Sequence, residues 1–238
     1  MGKGAREQLI DIAERLAATR GIGAMSLKEV QVESGQRNKS VVQYYFGSRD
    51  GLIEAVVNAR MGPINLHRLS LLERLGAHAS LRDLVEAFVV PLAEVTVLQT
   101  DSYWARFLLQ GSFDPTVRHL VRASFTASSF RAVRSRLIAG LTDLPQPVRA
   151  HRVDRMVEFV LVALATAEES RGAGRLGAGA AVRYVADVVD MCGALLTAAT
   201  AWTGPAWPPA WPPAAGGSSL GHAAGPEEER KQSGPRTA

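Results

Sequence analysis

The sequence has one cysteine in 238 residues. No disulfide can therefore staple the chain to itself, and a chain of this length buries enough apolar surface to fold without one. Cys192 lies in an apolar stretch and reads as a small buried hydrophobe in a reducing compartment. Long apolar runs are missing as well. The most apolar segment, 157–167, is broken or bounded by Glu158, Glu168 and Glu169 and is too short to cross a bilayer. The N-terminus runs directly into charged residues, without the apolar core of a secretory signal, so a cytoplasmic protein is expected. Charge of one sign is also scarce: the net charge of +4 hints only mildly at an anionic partner, and the location of the charges matters more than their sum.

Chemistry-bearing motifs are equally sparse. His67, His78, His119, His151 and His222 are scattered, with no second ligand at the spacing of a metal pair, so no metal is expected. Gly172, Gly174 and Gly177 have dinucleotide-binding spacing, but a helix rather than a strand precedes them, and they read as an interhelical loop without a cofactor. There is no nucleophile elbow, phosphate loop or acid pair, so a catalytic reading has no residue to rest on. Strand alternation and Asn-Gly hairpin turns are absent too, which predicts an all-α chain.

Gly and Pro punctuation divides the sequence into a head, 1–60, a helical body, 61–203, and a Pro/Gly-rich tail, 204–238. The tail cannot bury enough surface to offset its ordering entropy and reads as disordered; its Trp207 and Trp211, each followed by two prolines, leave open a polyproline segment docking on an aromatic groove. In the head, Leu9, Ile12, Ala13 and Leu16 have helical spacing, which Gly21 and Gly23 stop. Ser26 and Glu29 have capping-box spacing and start a second helix, ending by Gly35. A turn through Arg37 and Asn38 leads to a third helix over 39–46, closed by Gly47, and a fourth begins behind Ser48 or Asp50. In the body, Leu69, Leu72 and Leu75 precede a break at 76–80. Further helices are predicted at 81–97, with Pro91 as a kink, and at 102–110, 116–141, 147–169 and 180–202.

Three short helices with a glycine turn before the third describe a helix-turn-helix, whose last helix enters the major groove of DNA. Val42 and Phe46, four residues apart, face the core and leave Lys39, Ser40, Gln43 and Tyr44 to project outward. Gln43 can pair with an adenine edge, Ser40 with either base type, and Lys39 with a phosphate or a guanine. Arg37 and Arg49 flank the helix as cations that hold phosphates and fix register; Lys28 and Arg37, taken singly, suit solvated surface equally well. A Tyr-Tyr-Phe cluster alone would be core packing, but the capping box, glycine turn and basic flanks each have a separate role in one DNA-binding motif.

The order Ser26-Leu-Lys-Glu-Val30, then Ser34-Gly35, then Ser40-Val-Val-Gln-Tyr44-Tyr45-Phe46-Gly47-Ser48-Arg49-Asp50-Gly51-Leu52 resembles the DNA-binding head of tetracycline-repressor (TetR) family regulators over about 6–59. Ile64-Asn65-x-x-Arg68 and Pro91-Leu92-Ala93 resemble a branch common in actinobacteria. The resemblance implies that Ser26 and Tyr45 contact phosphate, that Arg49 anchors the start of the fourth helix to the DNA backbone, and that Lys39, Ser40, Gln43 and Tyr44 face bases. It also implies a homodimer on a palindromic operator. Three features depart from the family pattern. Tyr45 stands where the family most often has His, Gln31 and Ser34 stand where it usually has Ala, and the turn 35–39 is one residue longer than in the most familiar members.

Three functions are open at this stage: a repressor released by a small molecule, a DNA-binding factor without an effector, and an enzyme with an accessory helix-turn-helix. A body of this size exceeds what simple dimerisation needs. Phe88, Tyr103, Trp104, Phe107, Phe113, Phe125, Phe130 and Phe159 suggest helices around a cavity for a largely apolar effector, with Arg106, Gln110 and His119 as polar contacts. Apolar stripes through Val153, Met156, Val157, Val160, Leu161 and Leu164, and through Val185, Val188, Val189, Leu195 and Leu196, suggest a four-helix dimer interface that Val160→Glu or Leu196→Glu would break.

Overall fold

The computed structural model describes residues 4–23, 25–36, 40–123 and 128–200, and those residues contain helices and no strand. The head contributes α1 (Ala5–Arg20), α2 (Leu27–Glu33) and α3 (Val41–Phe46). Then follow α4 (Arg49–Leu75), α5 (Leu81–Glu94), α6 (Trp104–Phe113), α7 (Arg118–Ala123), α8 (Ser128–Gly140), α9 (Gln146–Gly172) and α10 (Ala178–Thr197). Within the segment expected as one helix over 116–141, the described residues carry α7 and α8. The tail, 204–238, lies outside the described residues.

Local chemistry fixes three of the helix starts. The Ser26 hydroxyl accepts the Glu29 amide at 3.2 Å while the Glu29 carboxylate accepts the Ser26 amide at 2.9 Å, a complete capping box on α2. Ser80 and Asp83 build the same device on α5. Ser48, the first of the two starts expected, caps α4 by accepting the Gly51 amide at 3.0 Å. The last helix stops at Thr197 rather than continuing to 202, and there the Arg152 guanidinium of α9 donates to the carbonyls of Leu195, Leu196, Ala198 and Ala199.

The longest connection between head and body is α4, which runs unbroken across position 60 and carries Pro63. Proline removes the bond its amide would give to Ala59, and both residues are exposed, so that carbonyl is open to solvent rather than buried. Packing makes the head continuous with the body. α1 lies on both α4 and α6, α4 lies on α5, α7 and α8, and α9 is central between α6, α8 and α10. One hydrophobic cluster extends from Leu9 in α1 to Leu196 in α10.

Ion pairs bolt these contacts. Arg60 of α4 holds Glu14 at 2.5 Å and Asp11 at 2.6 Å, tying α4 to α1. Burial pushes the Glu14 carboxyl above its ordinary range despite the opposing Arg60 charge. Arg134 of α8 forks onto the fully buried Asp154 of α9 at 2.9 and 3.1 Å. Buried Glu168 of α9 accepts the amides of Ala105 and Arg106 at 3.0 and 3.1 Å and the Ser102 hydroxyl at 2.6 Å, so it caps α6 from a distant part of the chain. Cys192 is buried, with its thiol pushed up to about 12 by desolvation.

The central place of α9 corrects one expectation. Val160 and Leu196 are both 0% exposed within a single chain, so their stripes are spent on the chain's own core and not on a partner. What remains at the surface of this helix pair is Val162, Val182 and Met191, with Phe159, Tyr184 and Leu195 partly covered.

Candidate nucleic-acid interface

α2, a turn and α3 form the helix-turn-helix unit. Within α3, Val41, Val42 and Phe46 are buried, while Gln43, Tyr44 and Tyr45 are exposed together with Ser40 just before it. Tyr44 is the extreme case, 81% exposed and set edge-on to Tyr45 with ring centroids 5.4 Å apart. Large aromatic side chains seldom stay this open without a partner surface. Phe46 is held from behind by the Arg6 guanidinium, 5.5 Å from its ring centroid. Lys28 is exposed on α2, and Ser26 is half-buried with its hydroxyl oxygen already accepting in the capping box. Arg37, Asn38 and Lys39 lie outside the described residues.

The turn out of α3 depends on two glycines. Gly47 adopts φ +70°, the left-handed region that side chains avoid. At Gly51 a Cβ would stand 2.2 Å from the Phe46 carbonyl oxygen, so the first turn of α4 can approach the end of α3 only without a side chain. The motif from Phe46 to Gly51 thus sets the angle at which α3 leaves the body's long helix.

Two residues assigned outward roles are engaged inside the protein. Arg49 donates from Nε to the Met25 carbonyl at 2.9 Å and from Nη2 to the Ile22 carbonyl, so it fastens the α1–α2 connection to α4. Gln43, though exposed, donates from Nε2 to the Gly47 carbonyl. Base pairing by Gln43 then requires this local bond to open.

The residues grouped as a pocket are not gathered around one cavity among the described residues. Phe88 packs edge-on to Phe130 at 5.9 Å, and Trp104 stacks on Phe107 at 5.4 Å; Phe88, Trp104 and Phe107 are fully buried. Phe159 is half-buried, His119 is exposed, and Phe125 lies outside the described residues. Tyr103 alone of the set lines an open groove of about 600 Å³ between α1, α4 and the α5–α6 connection, where Gln8, Asp11, Arg60 and Asp101 also sit. Arg106 stacks on Tyr103 and pairs with Glu168.

Gln110 differs most from its expected role. Its Oε1 accepts the Ile22 amide at 3.1 Å and its Nε2 donates to the Ala18 carbonyl at 3.0 Å. Those are the two groups that would have bonded each other had α1 gone on another turn, so a body side chain is inserted where the first helix ends. Beside it, a Cβ at Gly111 would meet Val121 at 2.7 Å and Ile22 at 3.2 Å, a second mark of close contact between α6 and the head. Spacing within α6 could not reveal this, because both partners lie about ninety residues away.

No protein-family model and no curated protein matches the chain. Solved structures do. A protein from Shewanella sp. PV-4 assigned to the TetR family of transcription regulators aligns over 79% of this chain and 98% of its own, with a TM-score of 0.55 at 13% identity. A transcriptional regulator from Rhodococcus sp. RHA1 aligns over 79% and 96%, with a TM-score of 0.50 at 16% identity. The chain therefore has the fold of these regulators over about four fifths of its length.

Proposed function

We propose that this chain is a TetR-type transcription regulator that binds double-stranded operator DNA as a homodimer, represses from a palindromic site, and lets go when a small molecule enters its body. The observation that carries the reading is the α3 surface. Its inner side is taken up by Val41, Val42 and Phe46, while Ser40, Gln43, Tyr44 and Tyr45 are exposed on its outer side. A short helix presented this way on a helix-turn-helix reads base edges in the major groove. The fold likeness supports the same reading.

On this account residues 1–60 are the DNA-binding head, 61–203 the effector and dimerisation body, and 204–238 a disordered extension of a cytoplasmic protein. Exposed Lys28, with Arg37, Asn38 and Lys39, supplies phosphate and flanking contacts, joined by Ser26 and Tyr45. Arg49 contributes by holding the head together. The dimer forms through α9 and α10, at the surface left by Phe159, Val162, Tyr184 and Met191. Tyr184 donates to the Ala163 carbonyl at 3.1 Å, which fastens α10 to α9 next to Val162. A two-fold dimer sets two α3 helices about one DNA turn apart. The clamp at Gln110 passes movements of α6 to the head.

Selection of duplexes from a random pool by the full-length protein, followed by anisotropy titration at several salt concentrations, tests the proposal. The expected outcome is enrichment of an inverted repeat bound at one dimer per site. Failure to enrich any sequence over random DNA would refute it.

A further inference from the structure

The most deeply buried cation in the described structure has no counter-ion. Arg68 of α4 is 1% exposed and sits where α4, α5 and α8 meet. Three partly buried arginines have a carboxylate, Arg60 with Glu14 and Asp11, Arg106 with Glu168 and Arg134 with Asp154, whereas Arg49, Arg136, Arg149 and Arg152 give their donors to backbone carbonyls. Arg68 has only neutral neighbours. Its Nη1 donates to Asn65 Oδ1 at 3.0 Å and approaches Ser129 Oγ at 3.4 Å, and its guanidinium lies 5.3 Å from the centroid of the Phe88 ring. Its Nε is buried and makes no hydrogen bond.

A buried guanidinium without a carboxylate is costly, and a buried donor left unpaired adds to that cost. Desolvation alone pulls the Arg68 guanidinium down to about 10. Asn65 and Ser129 cannot relieve it. The Ser129 hydroxyl donates to the same Asn65 Oδ1 at 2.8 Å, so one amide oxygen is shared between two donors and neither neighbour brings negative charge. The side of the guanidinium carrying Nε is the edge that a planar carboxylate grips with two parallel bonds. Around it stand Phe88 and, edge-on to Phe88, Phe130.

We infer that Arg68 is the anchor for an organic acid: a single carboxylate seated on its Nε edge, with an apolar body lying against Phe88 and Phe130. One fixed positive charge among neutral and aromatic groups matches one negative charge on an apolar frame, and this adds an acidic group to the largely apolar effector of the proposed function. The site itself does not depend on that reading; its role in releasing DNA does. Entry of the acid separates α4 from α8. Because α4 is one helix from Arg49 beside α3 to Leu75, that displacement reaches the head directly. A small depression of about 200 Å³ opens further along the same α4–α5 seam, between Leu71, Leu75, Ala87 and Val90, with Asp83 and Glu86 also at its wall.

The test is a thermal-melting titration of the full chain with octanoate and benzoate, set against octanamide and benzamide. At a hundredfold excess over Kd at least one acid raises Tm by about 5–10 °C, and its amide does not. Arg68→Met, which keeps the side chain's length and removes the charge, abolishes the acid's shift and leaves the ligand-free Tm at or above that of the wild type. The arginine Nε–Hε spectrum of the wild-type protein reads the same contact without a substitution: one buried resonance moves with the acid and stays with the amide. An acid shift that survives in Arg68→Met, or neither acid shifting the wild type, overturns the assignment. Operator anisotropy in the same titration separates the two ideas. Acid binding at Arg68 with unchanged DNA affinity supports the site while refuting release by that ligand.

Discussion

Replacing Gln110 by Leu should loosen the head from the body at one identifiable point. The substitution keeps the volume and removes both hydrogen bonds, to the Ile22 amide at 3.1 Å and the Ala18 carbonyl at 3.0 Å. Each bond contributes about 1 kcal/mol net, and a buried amide left without an acceptor costs about 1–3 kcal/mol. Ile22 is 2% and Ala18 6% exposed, so water does not readily replace the lost partner at either end of the clamp. The sum is about 3 kcal/mol, which for a chain of this size lowers Tm by roughly 6–12 °C. Native-state hydrogen exchange locates the effect: the Ile22 amide should lose protection far more than amides in the middle of α9, because the opening is local to the end of α1. A Tm change under about 2 °C together with unchanged exchange at Ile22 would refute the clamp.

The remaining predictions address the turn, the dimer and pH. Gly51→Ala should destabilise by about 1–3 kcal/mol in urea melts, because its Cβ meets the Phe46 carbonyl oxygen, although helix propensity alone predicts a gain of about 1 kcal/mol; a gain would show that α3 and α4 are free to part. Val162→Glu should leave a folded monomer by sedimentation, since the side chain is exposed in one chain and the proposed dimer would cover it, while Val160→Glu should lose the fold altogether; a stable Val162→Glu dimer would move the interface elsewhere. Burial raises the Asp154 carboxyl against the pull of Arg134, so the stability linked to its protonation is complete below the unfolded value near 3.8 and lost as pH rises through the higher folded value. Wild type minus Asp154→Asn stability, from denaturant melts at pH 4 and pH 7, should therefore be smaller at pH 7; a larger difference there would reverse the sign of the argument.

Local signals in the sequence are sufficient where their partners are close by. Ser26 and Glu29 close on each other three residues apart, and the 3.6-residue periodicity places Val42 and Phe46 inward and Tyr44 outward without any knowledge of the body. Long-range pairing is a different matter. Nothing in the neighbourhood of Gln110 announces Ala18 and Ile22, and nothing near Glu168 announces the start of α6, so the one was read as a pocket residue and the other only as the end of an apolar run. Arg49 shows the same limit, because a cation flanking a recognition helix suits a phosphate as well as it suits two carbonyls of a neighbouring loop. The stripe on α9 is a further case: apolar width reports that a helix is covered, but its own chain covers Val160 from several sides.

The central claim is that the outward face of α3 reads DNA sequence. Its most direct measurement is the ratio of specific to random-duplex affinity, at fixed salt, for the wild type and for Gln43→Ala and Tyr44→Ala on the duplex that the wild type selects. Base-facing groups discriminate and phosphate contacts do not, so each substitution should cut specific affinity by about tenfold or more and leave random-duplex affinity within about twofold. Equal losses on both duplexes, or no loss on either, would contradict the account.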